Sequence, residues 1–205
     1  MNVLYRLLYA IGYTPWEHMS EQAPGETVRV LIAQEEAGRL APFGTALDLG
    51  CGSGIWTVAL SKRGWDVTGV DNVPKALKRA SQRAREADVL PRFVQGDVTA
   101  LNAGEIGSGF RLVLDFGCFH GLSAEQRTAE SRGVTALADS DATILLLAFE
   151  PGPRGQVPRG ATQGEIEAAF LGWRVEDVTP LDMSGMGRRV RGIKANVYRL
   201  RRAAV

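Results

Sequence analysis

Short apolar runs alternate with segments of helical periodicity along most of the chain, which predicts a mostly parallel sheet covered by helices on both faces. Thr45-Ala46-Leu47-Asp48-Leu49 reads as a first strand, Asp66 to Asp71 as a second and Arg92 to Gln95 as a third. Phe110 to Asp115 reads as a fourth, and Ala142 to Phe149 as a fifth with no polar residue beyond Thr143. A run that continuous is expected of a central strand buried on both faces. Between the strands, Ile55 to Arg63 forms a helix closed by Gly64, and Pro74 opens another over Lys75 to Ala87. Thr162-Gln163-Gly164-Glu165 has capping-box spacing and starts a helix to about Leu171. Upstream, a short apolar-aromatic helix over 3–11 breaks at Gly12 to Pro15, and a second runs from about 25 to 38, started by Pro24 and stopped at Gly38. The last two strands, near 173–181 and 190–200, are joined by Asp182-Met183-Ser184-Gly185-Met186-Gly187, a connection short enough for an antiparallel pair.

The 205 residues fit a single domain able to bury a two-sided core. In this reading residues 44–200 are the core and residues 1–40 a helical segment that covers it. Lys plus Arg (24) nearly cancels Asp plus Glu (23), so the chain lacks the basic footprint of a dedicated nucleic-acid binder. Two cysteines, Cys51 and Cys118, are too few for a disulfide framework or a CxxC metal site. No apolar run reaches transmembrane length, and the N-terminus has neither a charged n-region nor a nearby A-x-A-like cleavage site. A cytoplasmic protein with no membrane association is the expectation.

The chemistry starts where the first strand ends. Asp48-Leu49-Gly50-Cys51-Gly52-Ser53-Gly54 is a glycine-rich turn between a strand and a helix, the nucleoside loop of doubly wound folds. Its G-x-G-x-G spacing is not the G-x-G-x-x-G of dinucleotide binding. The acidic Asp48 disfavours a pyrophosphate and suits a ligand bearing an ammonium and a sulfonium. Asp71, with Asn72 beside it, ends the second strand, at the distance from the glycines where a carboxylate accepts bonds from ribose hydroxyls. Asp97-Val98 follows the third strand, where the carboxylate would take an adenine amino group and the Val98 amide a ring nitrogen.

In order and spacing, Leu47 to Gly54, then Gly69-Val70-Asp71, then Gly96-Asp97-Val98 resemble the successive motifs of class I S-adenosylmethionine-dependent methyltransferases. The resemblance covers roughly residues 44–200. It implies a doubly wound, Rossmann-like seven-stranded sheet with an antiparallel last strand and S-adenosyl-L-methionine as cofactor. It also implies that Gly50, Gly52 and Gly54 face the methionine part, Asp71 the ribose and Asp97 the adenine; Cys51, within the same cofactor-binding loop, reads from its own chemistry as a small neutral filler. A narrower similarity runs through Leu112 to Leu122 and Pro15-Trp16-Glu17, which resemble segments of the thiopurine, halide/thiol and heterocycle methyltransferases. Phe116 departs from that group, which often has a charged residue there. The Pro-Trp-acid element adds Trp16 to the cofactor-binding candidates.

Methyl transfer is an in-line displacement governed by positioning and desolvation, and a base is needed only where the acceptor must lose a proton. His120, just past the fourth strand, is the catalytic candidate, with a hydrogen-bonded structural histidine as the competing reading. Asp115 either contacts the cofactor ammonium or the substrate, or caps the segment that begins at Ser123. Cys118 has no activating cation beside it in sequence and reads as an inert buried thiol. The charges of the helix after Pro74, Arg83 among them, read as a solvated face. Tyr5, Tyr9, Tyr13 and Trp16, with Arg154 and Arg159 in the Pro/Gly loop from Glu150 to Gly160, would enclose an aromatic acceptor. The resulting expectation is O-, N- or S-methylation of a small aromatic or heterocyclic acceptor by a monomer or homodimer, with no nucleic acid partner. Methylation of RNA or protein, or non-catalytic cofactor binding, stands as the alternative; a nicotinamide dehydrogenase is disfavoured by the glycine spacing.

Overall fold

A computed structural model of the chain describes residues 14, 17, 22–38, 40–152, 159–184 and 193–203. The expected helix over 3–11, Trp16, the Tyr5–Tyr13 stripe and Arg154 lie outside the described residues. Among those described, the elements run α1 (Ala23–Glu36), β1 (Thr45–Leu49), α2 (Ile55–Arg63), β2 (Asp66–Asp71), α3 (Pro74–Glu86), β3 (Arg92–Gln95), α4 (Ala103–Ile106), β4 (Phe110–Phe116), a 3-10 turn (Phe119–Gly121), α5 (Ala124–Leu137), β5 (Ala138–Phe149), α6 (Gln163–Ala169), β6 (Trp173–Pro180) and β7 (Ala195–Arg202).

The seven strands form one sheet in the order β3-β2-β1-β4-β5-β7-β6. β1 pairs in parallel with both β2 and β4, β2 with β3, and β4 with β5. Only β7 runs the other way, slotted antiparallel between β5 and β6. The doubly wound, mostly parallel sheet expected from the sequence is therefore present. Its strand order reverses between β1 and β4, and ligands of open α/β sheets bind outside the strand ends at such a switch point.

Each face of the sheet carries its own core. Leu47, Leu49, Val113, Leu146 and Tyr198 pack with Val134 and Leu137 of α5 and Ile166 of α6. On the opposite face Leu112, Leu114, Leu145 and Val197 pack with Val28, Leu31 and Ile32 of α1 and Leu60 of α2. Each large aliphatic side chain so buried contributes about 1.5–3 kcal/mol. β5 contributes to both cores, which explains its unbroken apolar run. Its one polar central residue, Thr143, is spent on a buried hydrogen bond to Glu35 of α1 (2.7 Å).

Helix ends follow their local chemistry. Ser123 at α5 and Thr162 at α6 each form a reciprocal capping box, with Gln126 and Glu165. α2 is closed by Gly64 in the left-handed conformation (φ 103°). The sequence places β5 at 142–149, whereas the strand begins at Ala138 directly from the end of α5. Ser140 and Asp141 there are exposed, and their polarity masks the strand. β7 starts at Ala195, five residues later than expected from the apolar pattern.

Candidate functional site

The loops after β1, β2 and β4 converge at the switch point. Gly50, Gly52 and Gly54 all have positive φ (61°, 54° and 75°), so the loop between β1 and α2 needs left-handed backbone at three alternate positions. Two of these glycines also make room for protein. A Cβ on Gly50 would lie 2.1 Å from the Cys118 Sγ, and one on Gly54 would lie 2.8 Å from the Ala80 Cβ of α3. Gly54 thus lets α2 and α3 approach, while Gly50 lets the β4 turn close onto the loop. Arg83, expected on a solvated face, instead reaches across from α3 and donates to the Ser53 carbonyl (3.0 Å).

Asp71 ties the β2 end to this loop. Its Oδ2 accepts from the Gly52 amide (2.9 Å) and its Oδ1 from the Val73 amide (2.8 Å). Burial nevertheless raises its pKa above the usual carboxylate range. Asp48 is buried one strand away and accepts a 2.5 Å hydrogen bond from the Thr57 hydroxyl of α2. Desolvation, opposed by that bond and reinforced by the nearby Asp71 and Asp115, pushes its pKa up to about 7. Asn72 is half-buried beside Asp71. After β3, burial would raise Asp97, but the Thr99 amide and hydroxyl (2.9 and 2.7 Å) outweigh it and hold the carboxyl below its ordinary range. Val98 is half-buried and packs on the core below.

Asp115, at the β4 end, is buried beneath the turn that follows. It accepts from the amides of Gly117 (3.2 Å), Cys118 (2.8 Å) and Phe119 (3.0 Å). It therefore caps the 3-10 turn at Phe119; the helix beginning after Ser123 has its own cap. Burial outweighs these bonds and pushes its pKa up to about 6. Glu130 of α5, fully buried behind it, is pushed well above the ordinary carboxyl range by desolvation and by that adjacent carboxylate. Burial raises the thiol of Cys51, which agrees with inert packing, whereas Cys118 is half-buried rather than buried as expected, its thiol raised by desolvation and by the carboxylates around it.

Residues 46–139 match a family model described as a methyltransferase domain. This chain carries a methyltransferase domain. Its fold is that of the class I S-adenosylmethionine-dependent enzymes. The chain superimposes on the magnesium protoporphyrin IX methyltransferase of Synechocystis PCC 6803, a structure with bound S-adenosylhomocysteine, with a TM-score of 0.75 over 99% of this chain and 100% of that one. At 18% identity that likeness concerns the fold alone. Among curated proteins, the chain is 39% identical to the ribosomal protein L11 methyltransferase of Thermus thermophilus over 75 residues, 37% of this chain and 29% of that protein. It is 26% identical to thiocyanate methyltransferase 1 of Brassica oleracea over 140 residues, 67% of this chain and 58% of that protein. Neither match reaches two thirds of the relative's length.

The donor set of the methyltransferase domain fits a cationic nucleoside. Asp48, Asp71 and Asp115 stand at the ends of adjacent strands, and among the described residues none of them makes an ion pair. Burial pushes Asp48 up to about 7 and Asp115 up to about 6, so ionising either one here is costly without a cation beside it. A sulfonium or ammonium group brought to this spot would supply that cation.

His120 lies on the far side of the same turn, against the end of β5. Its Nδ1 accepts the Phe149 amide (3.2 Å), and its ring stacks on the Phe149 ring at 4.8 Å and 14°. Burial, with the Arg127 guanidinium nearby, lowers its pKa to about 4. A neutral imidazole accepting at Nδ1 carries its proton on Nε2. In that state it is a donor, so the geometry does not supply the general base that the sequence position suggested. Arg127 itself was not anticipated. It is buried under the turn, donates to the carbonyls of Phe119 (3.1 Å) and Gly160 (2.5 Å), and pairs with Glu165 (3.0 Å). The available signal was a charged residue on the buried stripe of α5, shared with Glu130, Val134 and Leu137. Thr57 and Phe149 were missed as well; a threonine in a helix and an aromatic at a strand end carry no distinguishing pattern.

Proposed function

We propose that the chain catalyses methyl transfer from S-adenosyl-L-methionine to O, N or S of a small aromatic or heterocyclic acceptor. When bound, the cofactor supplies a methyl group on a sulfonium, with a neutral thioether as leaving group. The observation that carries the cofactor assignment is the trio of buried, cation-free carboxylates around the glycine loop. Asp71 and Asp97 are the residues to hold the ribose and adenine, and the loop glycines give the backbone close approach. The acceptor reading is supported by aromatic rings at the ends of β4 and β5: Phe116 meets Trp56 edge-on at 5.4 Å, and Phe149 lies flat against His120. The cited relatives that act on magnesium protoporphyrin IX and thiocyanate fit a small acceptor. The Thermus relative, named for ribosomal protein L11, keeps a macromolecular acceptor in the comparison.

A screen of transfer from methyl-labelled cofactor to phenolic, thiol, halide and heterocyclic acceptors, with RNA and ribosomal protein alongside, tests this reading. Label in one of the small acceptors is the expected result. Label only in RNA or protein would replace the acceptor class, and failure to bind the cofactor in calorimetry would remove the function altogether. A cytoplasmic monomer or homodimer belongs to the same proposal, and light scattering reads its oligomeric part.

A further inference from the structure

His120 combines three features that a purely structural histidine does not need together. It is almost fully buried, with 4% of its surface exposed. One ring nitrogen is committed to the backbone of β5, and the ring plane is fixed by the stack on Phe149. The other nitrogen, Nε2, has no hydrogen-bond partner among the described residues. The rest of the ring is enclosed, so Nε2 is a donor of fixed direction at the one edge that is not packed away, and a ligand reaching that edge would pair it.

The surroundings say where that ligand sits. The Nε2–Cε1 edge faces Gly117, lying 3.9 Å from the point that a Cβ there would occupy. Gly117 follows Phe116 at the end of β4, and the next residue, Cys118, rests on Gly50 of the cofactor loop. One turn therefore spans from the cofactor loop to the free edge of His120. The charged group that faces the ring is Arg127, and its own donors are taken by Phe119, Gly160 and Glu165. A cation there opposes any protonation of the imidazole, which keeps Nε2 a donor and Nδ1 an acceptor.

We propose that His120 is a positioning residue that orients the methyl acceptor by donating a hydrogen bond from Nε2 to a lone pair on it, and that it takes no proton during transfer. This rests on the methyltransferase reading and deepens it. The acceptor's nucleophilic lone pair forms the bond to the methyl carbon while the carbon–sulfur bond breaks with its pair retained on sulfur. The acceptor gains one unit of positive charge, and no proton passes to His120. Molecules suited to the site carry a hydrogen-bond-accepting heteroatom next to the methylated atom.

The test uses the full chain labelled with 15N in histidine and saturated with S-adenosylhomocysteine, with 2-mercaptopyridine and thiophenol as a probe pair differing by one ring nitrogen. The expected spectrum shows Nε2 protonated and Nδ1 unprotonated from pH 5.5 to 8, with the Nε2–H resonance shifted by 2-mercaptopyridine and not by thiophenol. A midpoint of titration inside that range, a proton on Nδ1, or an Nε2–H indifferent to both probes would overturn the proposal. Two variants separate positioning from folding. His120→Asn keeps an acceptor near the Phe149 amide and removes the outer donor; His120→Gln does the reverse. With the acceptor found in the methyl-transfer screen, Asn is expected to lose at least about tenfold in kcat/KM, mostly through KM, with an unchanged pH profile. Gln is expected to restore most of that loss despite a lower melting temperature. Equal losses in both variants would return His120 to a structural role. Absence of S-adenosylhomocysteine binding in wild-type calorimetry would instead count against the methyltransferase reading, which the histidine spectrum does not address.

Discussion

Two clusters of buried carboxylate in this protein are built on opposite terms. Glu35, at the end of α1, meets Arg199 and Arg201 of β7 at 3.0 and 3.1 Å and takes the Thr143 hydroxyl as well. Its charge is answered by the chain itself. Asp48, Asp71 and Asp115 are just as buried, yet among the described residues a threonine hydroxyl and backbone amides are all the hydrogen bonds they receive. The first arrangement ties helix to sheet and closes the electrostatics; the second leaves them open at the point where the strand order of the sheet reverses. Burial alone does not mark a functional carboxylate. Burial without a cation beside it, at the ends of the central strands, is the feature on which the proposed cofactor site rests.

The largest expected effect breaks the closed cluster. Arg199→Ala with Arg201→Ala strands Glu35 in a buried setting, and removing the partners of a buried ion is strongly destabilising. Both arginines keep some solvent exposure (18% and 28%), which moderates the loss to about 3 kcal/mol in urea unfolding, with no change in cofactor affinity per folded molecule. A loss below about 0.5 kcal/mol would place Glu35 with ordinary surface charges.

The next sharpens the comparison by reversing its sign. The Asp48 pKa rises on folding from 3.8 to about 7, so the native state holds the proton more tightly than the unfolded chain. The stability this contributes is full below pH 3.8 and lost as pH rises through about 7. Asp48→Asn should therefore stabilise the free protein by about 2 kcal/mol at pH 8 and by almost nothing at pH 4, while weakening S-adenosylmethionine binding. His120 works in the opposite direction: its pKa is depressed from 6.5 to about 4, so its contribution is present above pH 6.5 and fades as pH falls through 4. Asp71→Asn comes third, with one Oδ acceptor replaced by an NH2 group facing a backbone amide. About a tenfold loss in S-adenosylmethionine affinity is expected by calorimetry. Undiminished affinity would remove Asp71 from the ribose site.

The contrast explains what was legible in the sequence. Strand ends with Asp48, Asp71 and Asp97 are readable because alternation and glycine spacing fix where strands stop, and so does the antiparallel pairing of the last two strands. What surrounds each carboxylate is set by residues far along the chain, such as Glu130 against Asp115 or Arg199 against Glu35, and no local pattern pairs them. The same limit applies to His120. Its place after β4 was visible in the sequence, but its tautomer depends on the Phe149 amide 29 residues later. α4 and the early start of β5 escaped for a local reason, being a four-residue helix and a polar strand end that carry too little periodicity.

The smallest effect tests whether the open cluster is held by neutral donors by design of its chemistry. Thr57→Val preserves shape and removes the one hydroxyl that donates to Asp48. At pH 8, where Asp48 is ionised, the variant loses the bond and should be destabilised by about 1 kcal/mol. At pH 5 the carboxyl is protonated and the loss should shrink, because a neutral acid is cheaper to leave in an apolar setting. The Asp48 pKa rises further, so more protein enters the binding reaction protonated at pH 7 and more protons leave when a cation arrives. Calorimetry in two buffers of different ionisation heat reads that release directly. S-adenosylmethionine should release more protons from Thr57→Val than from wild type, and S-adenosylhomocysteine, which lacks the sulfonium charge, should release fewer from either. Equal release by the two ligands would mean that the strand-end carboxylates answer the ammonium and ribose of the cofactor and leave its sulfonium to other groups.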